Sequence, residues 1–482
     1  MLFSSFLTLL VFSTFTSSTV NKTDSDNMMS YSSKMGHSML LNRLGMLVLS
    51  FVLMLFMNSM NMMTLMPGFT LFNSWFNLTS YNLPLMMLMM LLMMGLFIYN
   101  TNMSSKNNES TLLSPYLILL ILANSIGLLL FPLVNDLLAL YMMIELQSYS
   151  LYLLTGLHNR SYNASRASLL YFLMGGVASA IILLATYFIY SLTGSTNLSD
   201  MSMFYSLSSN NNAYTYFDML LIALLFKMGL APLHRWSIAV YNYAPTYITA
   251  YISIVAKMSM SSWMFANAMY FNYNVFIIFF YLSLFMGSYK PLYQMNMKTM
   301  LAYSGLLNFG YIMLSIMTFD ISFYLYMMQY TLTHMMLFLS MLAASQYMSK
   351  PMSMWSPLMY MHQLKLPNLT LAMCMMLALF SLMGMPPLPG FYAKLYMLMS
   401  ALQDNYMLES LMLMVCSVMA TYYYANMMKV LMTSRTMKEN MSQGNNNMNL
   451  SLAYVMATAT MLLMSFFMFL PFISEGLYLM TI

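Results

Sequence analysis

Residues 223–233 read ALLFKMGLAPL, and residues 377–388 read LALFSLMGMPPL. MGLAPL at 228–233 and MGMPPL at 383–388 share four of six positions. Each copy lies in a long apolar run and carries proline where a helix would otherwise continue. A proline inside a helix removes a backbone hydrogen bond and clashes with the preceding turn. Broken helices at membrane depth persist only where they are buried in protein or line a wet cavity. Each copy also has a lysine beside it: Lys227 before the first break, Lys394 after the second. Paired, interrupted apolar segments are the strongest sequence pointer to a transport site.

The rest of the chain fits a membrane setting. Of 482 residues, 61% are hydrophobic and 6% charged, against about 25% charged in a soluble domain. Runs long enough to cross about 30 Å of hydrocarbon lie near 1–18, 39–67, 83–100, 112–130, 133–157, 165–193, 215–234, 245–269, 274–289, 297–317, 320–348, 367–403, 408–433 and 452–473. They predict an all-α polytopic membrane protein of about 14 transmembrane helices. The runs are continuously apolar, which excludes a β-barrel. The first lacks a basic leading region and reads as a retained span, not a cleaved signal. The two repeat copies fall in spans 7 and 12. An odd separation means that the two helices run in opposite directions, the pattern of an inverted repeat. The expected organisation is 1–110 (spans 1–3), 111–269 (first five-helix repeat), 270–433 (second, inverted repeat) and 434–482 (span 14).

Charge placement supports the span count. There are 17 basic and 12 acidic residues. Connections after odd-numbered spans hold Lys22, Lys34, Lys106, Arg160, Arg166, Arg235, Lys290, Lys350, Lys365, Arg435 and Lys438. Arg43, Lys298 and Lys429 sit at span ends on that side. Asp24, Asp26, Glu109 and Glu439 accompany these basic loops. Connections after even-numbered spans hold only acids: Asp136, Asp200, Asp218, Asp320, Asp404 and Glu409, with Glu475 after the last span. This is a strong positive-inside pattern, and it puts both termini on the opposite face.

Four charges remain within spans: Glu145, Lys227, Lys257 and Lys394. A charge at mid-membrane costs about 2.5–3.5 kcal/mol on insertion scales and is a functional candidate by default. A bland reading makes them buried ion pairs, yet one glutamate cannot neutralise three lysines. Burial disfavours the charge on an ammonium, and a nearby carboxylate restores it. Movement of Glu145 relative to Lys227 would then load or release a proton. His334, in the middle of span 11, is either a core histidine with a satisfied hydrogen bond or a relay between Lys257 and Lys394. Gly175 and Gly176 in span 6 mark either a π-bulge or close packing, and packing is the favoured reading.

Other chemistries lack support. His158, His234 and His362 sit at span ends, so haem ligation has no facing pair. Cys374 and Cys416 read as buried free thiols, no Cys/His cluster has metal spacing, and no P-loop or GxGxxG is present. The net charge of +5 is scattered and forms no nucleic-acid patch. The 68 methionines point to an AT-rich mitochondrial gene in which AUA is read as Met.

At these residues the chain resembles a known family. FKMGLAPLHRW (226–236), AKMS (256–259), LYQMNMKTMLAYSGLLNFGYIML (292–314) and MGMPPLPGFYAKLYM (383–397) are similar to the antiporter-like subunits of respiratory complex I. The resemblance spans about residues 110–435. Within the family it is to the branch with Lys, not Glu, at the place of Lys394 and no long lateral C-terminal helix, and to a fungal, yeast-type member. The resemblance implies a membrane-arm subunit in the mitochondrial inner membrane, with both termini in the intermembrane space. It implies a proton relay of Glu145, Lys227, Lys257, His334 and Lys394. NADH, FMN, iron–sulfur clusters and ubiquinone would be bound by other subunits, with no cofactor or metal in this chain. Partners would be other membrane-arm and accessory subunits and phospholipids, including cardiolipin, and no nucleic acid. A stand-alone cation/proton antiporter would look alike in sequence, and a structural scaffold with vestigial charges is the other alternative.

Overall fold

Every one of those apolar runs contains helix in the computed structural model, which describes residues 1–20, 29–63, 69–101, 116–157, 162–207, 212–346, 369–433 and 450–481. The order begins α1 (Leu2–Val20), α2 (Met29–Met63), β1 (Phe69–Leu71), β2 (Phe76–Leu78), α3 (Leu83–Thr101), α4 (Tyr116–Leu130), α5 (Leu137–Gly156) and α6 (Tyr162–Thr193). It continues through α7 (Leu198–Leu207), α8 (Asn212–Met228), α9 (Arg235–Tyr243), α10 (Thr246–Tyr251), a π-turn (Ile252–Ala256) and α11 (Lys257–Ala266). It ends with α12 (Tyr273–Tyr289), α13 (Met297–Thr318), α14 (Ser322–Gln346), α15 (Leu369–Met383), α16 (Pro389–Gln403), α17 (Met407–Thr433) and α18 (Leu450–Thr481). Among the described residues, eight helices are by themselves long and apolar enough to cross a membrane.

Lys22, Lys106, Arg160, Lys350, Lys365, Arg435 and Lys438 lie outside the described residues, as do Asp24, Asp26, Glu109, Glu439, His158 and His362. The side chain of Lys34 does too.

Burial sorts the helices into an inner and an outer set. In α13, 89% of the membrane-length stretch is buried, against 22% in α18. The outer helices α6, α17 and α18 turn Phe172, Val418, Met461 and Phe472 outward. Lipid gives helices no hydrophobic reason to associate, so close packing and polar contacts hold them. Gly175 shows the first: a Cβ there would run into the Tyr152 hydroxyl on α5, whereas Gly176 faces open space. The glycine pair is therefore a packing site, and the π-turn lies elsewhere, at Ile252–Ala256.

Three elements depart from the sequence reading. A two-stranded antiparallel hairpin pairs Phe69 with Leu78 in a stretch read as loop. The helices α7 and α9 also occupy expected loops. The hairpin is tied to distant chain: Asn135 N–H donates to Trp75 O (2.8 Å), and Val134, bridged to Phe76, accepts in turn from Trp263 Nε1 (3.0 Å). Asp136 is the N-cap of α5, accepting from Leu138 N–H (2.8 Å). Its other oxygen accepts from Thr196 Oγ1 (2.7 Å). A carboxylate at that place satisfies an orphan N–H and the positive end of the helix.

Removing it should loosen this knot. Asp136→Ala should cost about 1–3 kcal/mol, read as a lower unfolding midpoint in detergent. Combined with Thr196→Val, the loss should be smaller than the two single losses added, because both break the same bond. Simple additivity would contradict the role of that bond.

Candidate functional site

The first broken helix ends through a glycine. Gly229 has φ +72°, a conformation that costs an L side chain about 1–2 kcal/mol. Its N–H donates to Phe226 O (2.9 Å), and Leu230 N–H donates to Leu225 O (3.1 Å). That pair of bonds is a Schellman end, which satisfies otherwise orphaned carbonyls. The second break closes in the same way: Gly384 has φ +90°, Gly384 N–H donates to Ser381 O (3.1 Å), and Met385 N–H donates to Phe380 O (3.2 Å).

The first break puts Lys227 in the last turn of α8, where a helix favours a cation. Its Nζ lies 3.7 Å from Glu145 Oε1 of α5. Their side chains are 2% and 13% exposed, so water screens this pair little. At that distance they form an ion pair but not a direct hydrogen bond.

Lys257 follows the π-turn and is buried. Such widened turns are frequent at functional sites. Its Nζ sits 4.8 Å from the Phe309 ring centroid and 5.2 Å from that of Tyr241. Aromatic faces hold the ammonium through their quadrupoles. The turn is braced from outside. Tyr330 of α14 donates its hydroxyl to Ser253 O (3.0 Å). Gln147 of α5 donates to Ala256 O (3.4 Å) and accepts from Ser259 Oγ (3.4 Å). Behind Gln147, Asn124 donates to Gln147 O (2.8 Å) and Ser150 Oγ (2.8 Å), and it accepts from Tyr251 OH (2.7 Å). A cavity of about 20 Å³, room for one water, is lined by Lys227, Lys257, Ser237, Trp236 and Tyr241.

His334 and Lys394 lie further along. His334 Nδ1 pairs with Tyr330 O (3.0 Å), and since a carbonyl only accepts, Nδ1 carries the proton. Its Nε2 is buried with no hydrogen-bond partner among the described residues. Lys394 donates to Leu382 O (2.7 Å) and Met383 O (3.1 Å) at the end of α15, and its Nζ is 5.6 Å from the Tyr311 ring centroid. The inner helix α13 thus sets Phe309 against Lys257 and Tyr311 against Lys394. Tyr311 stacks on Tyr326 (centroids 5.0 Å), and Tyr326 OH donates to Asn308 Oδ1 (3.0 Å).

Lys227 and Lys257 therefore line one cavity, and Glu145 pairs with Lys227 beside it. His334 is joined to them through Tyr330, and Lys394 is reached along α13. The sequence reading misses a further buried lysine. Lys298, assigned there to the basic face, is 2% exposed and donates to Ala244 O (2.7 Å). Its place in the first turn of a span reads as a span-end charge. The Asn124–Gln147 network and Tyr330 are also missed, since uncharged polar residues are common in these spans.

A family described as NADH:quinone oxidoreductase/Mrp antiporter, TM, matches residues 134–421. A NADH-ubiquinone oxidoreductase chain 2 of Debaryomyces hansenii is 63% identical over 482 residues, all of both chains. One of Candida albicans is 48% identical over 91% of each. Among solved structures, a chain of respiratory complex I from Thermus thermophilus with bound aureothin superimposes with a TM-score of 0.73 at 21% identity, covering 92% of this chain and 93% of that one. A chain of the Mrp complex from Dietzia sp. gives 0.75 at 17% identity, covering 94% and 93%. At those identities the likeness shows the fold.

The second break offers a direct test. Gly384→Ala would put a methyl in a left-handed conformation, 3.2 Å from Lys394 Cδ. It should cost about 1–2 kcal/mol and lower the unfolding midpoint in detergent. Gly176→Ala, in open space within a helix, should leave the midpoint unchanged or raise it. Equal effects would contradict the assigned backbone geometry.

Proposed function

The chain belongs to the NADH:quinone oxidoreductase/Mrp antiporter transmembrane family and, within it, to NADH-ubiquinone oxidoreductase chain 2, and on that premise we propose how it works. It is a proton-translocating membrane-arm subunit of respiratory complex I in the inner membrane. Its relay is Glu145, Lys227, Lys257, His334 and Lys394. The observation that carries this is the Glu145–Lys227 ion pair at 3.7 Å, whose lysine lines a cavity together with Lys257.

The chemistry follows from how each charge is held. Charge on Lys227 depends on its distance from Glu145. At about 4 Å and an effective dielectric of about 20, such a pair is worth about 4 kcal/mol. Moving one charge through about 180 mV costs about 4 kcal/mol as well. Making or breaking this one pair is thus on the scale of transport against an energised membrane. A proton leaving Lys227 has a water-sized cavity and then Lys257 to go to. Tyr330 and His334 continue the path, and Lys394 ends it among carbonyls.

On this reading NADH, FMN, iron–sulfur clusters and ubiquinone belong to other subunits, and quinone reduction there drives the charge movement here. The partners are other membrane-arm and accessory subunits together with phospholipids, cardiolipin among them. Both termini face the intermembrane space. Residues 111–269 and 270–433 act as two inverted repeats flanked by 1–110 and 434–482. The matching Schellman ends at Gly229 and Gly384 support that division.

Lys227→Met or Lys257→Met should lower the proton-to-electron stoichiometry of the assembled complex in vesicles. A barrier raised by only 1.4 kcal/mol already slows coupled turnover about tenfold. Normal stoichiometry in either variant would sink the relay. Na⁺/H⁺ exchange by this chain alone in liposomes would favour a stand-alone antiporter instead. Full function after neutral replacement of all four mid-span charges would leave a scaffold.

A further inference from the structure

The two faces of α9 look into different spaces. Trp236, Ser237, Val240 and Tyr241 line the small cavity that also holds Lys227 and Lys257. Arg235, Ile238, Ala239 and Asn242 line an open cleft of about 190 Å³, walled on its other side by Thr299 and Tyr303 of α13. One short helix therefore separates an open polar cleft from the lysine cavity.

The ends of α9 are held differently. At its start, Trp236 Nε1 donates to Phe226 O (3.2 Å), and the Ser237 hydroxyl lies against Gly229 O (3.3 Å). These are neutral contacts to the broken end of α8. At its finish, Ala244 is the C-cap residue, followed by Pro245, which has no N–H to offer. There the buried Lys298 ammonium donates to Ala244 O at 2.7 Å. Thr299, next in sequence, lines the open cleft, so Lys298 turns in beneath α9 at the cleft's edge. A cation beside the negative end of a helix is favourable. A lysine at the first turn of its own helix, α13, is not. Lys298 therefore gains at the end of α9 what it lacks on α13. Its charge is bound to the position of α9.

We propose that Lys298 is a positioning residue that latches α9, through Ala244 O, as the wall between the open cleft and the cavity of Lys227 and Lys257. Loss of the latch would let α9 swing and open the relay to the cleft. The consequence for pumping rests on the relay reading above, but the wall itself can be tested without it.

The test uses the assembled complex purified in detergent, with Cys374→Ser and Cys416→Ser and a reporter at Val240→Cys on the inner face. Modification by a charged methanethiosulfonate is read at residue 240 by peptide mass spectrometry. Lys298→Met should raise the rate on the order of tenfold, the scale of one charge-assisted hydrogen bond. A control reporter at Met258→Cys, on α11 and 1% exposed, should show no change. Where Lys298→Met fails to assemble, the shorter and uncharged Lys298→Gln takes its place, with the same rise expected. An unchanged rate at residue 240 would overturn the latch. A parallel rise at residue 258 would overturn it too, because it marks general loosening. Normal stoichiometry in Lys227→Met would sink the relay while leaving the accessibility result intact.

Discussion

A backbone that leaves the α-helix inside a membrane must find partners for its freed N–H and C=O groups within the protein. This chain does so twice, and the rest of the site depends on it. At Gly229 and Gly384 the helix closes on itself through left-handed residues and paired bonds to its own last turn. Side chains take up what remains: Trp236 serves Phe226 O, and Lys394 serves Leu382 O and Met383 O. The π-turn before Lys257 is a third irregularity and is braced by Tyr330 and Gln147. Each irregular stretch lies beside a lysine that is buried or, in the case of Lys394, half-buried. The same unmade helical bonds that need partners create the polar ground in which a charge can sit.

These lysines and Lys298 are held by three kinds of acceptor. Lys227 faces a carboxylate, Lys257 lies between aromatic faces, and Lys394 and Lys298 bond to carbonyls. Carbonyls at a helix end are fixed as long as the helix stays in place. Ring faces are weak but constant. Only the carboxylate can change its own charge or swing away. In the proposed relay that difference falls on Glu145, and for the carbonyl acceptors it is the position of the helix ends, α9 above all, that matters. The inner helix α13 joins the scheme by offering Phe309 and Tyr311 to two different lysines.

Much of this is legible in the sequence. Hydropathy marks the spans because crossing lipid is a property of each stretch taken alone. Charge alternation could be read because so few charges are present. Glu145, Lys227, Lys257, His334 and Lys394 stand out because a charge or imidazole in an apolar run has no cheap explanation. What escaped was whatever depends on a distant partner. The helix α9 and the hairpin look like loop in RWSIAVYNY and FTLFNSWFNL, since they are short and gain their order from contacts across the fold. Lys298 looked topological because its neighbours in sequence are ordinary span-end residues. Nothing local says that Ala244 O waits beneath it.

The sequence alone determined the class of fold, the two breaks and the charged residues without a topological duty, because proline chemistry and the cost of charge in lipid act on each residue where it stands. The tertiary structure alone decided which acceptor each lysine meets, that Asn124 and Gln147 form one network, and that α9 walls off the cavity. Those outcomes depend on which helices lie side by side, and in a lipid solvent that choice rests on packing shape and on a few polar contacts between residues far apart in the chain.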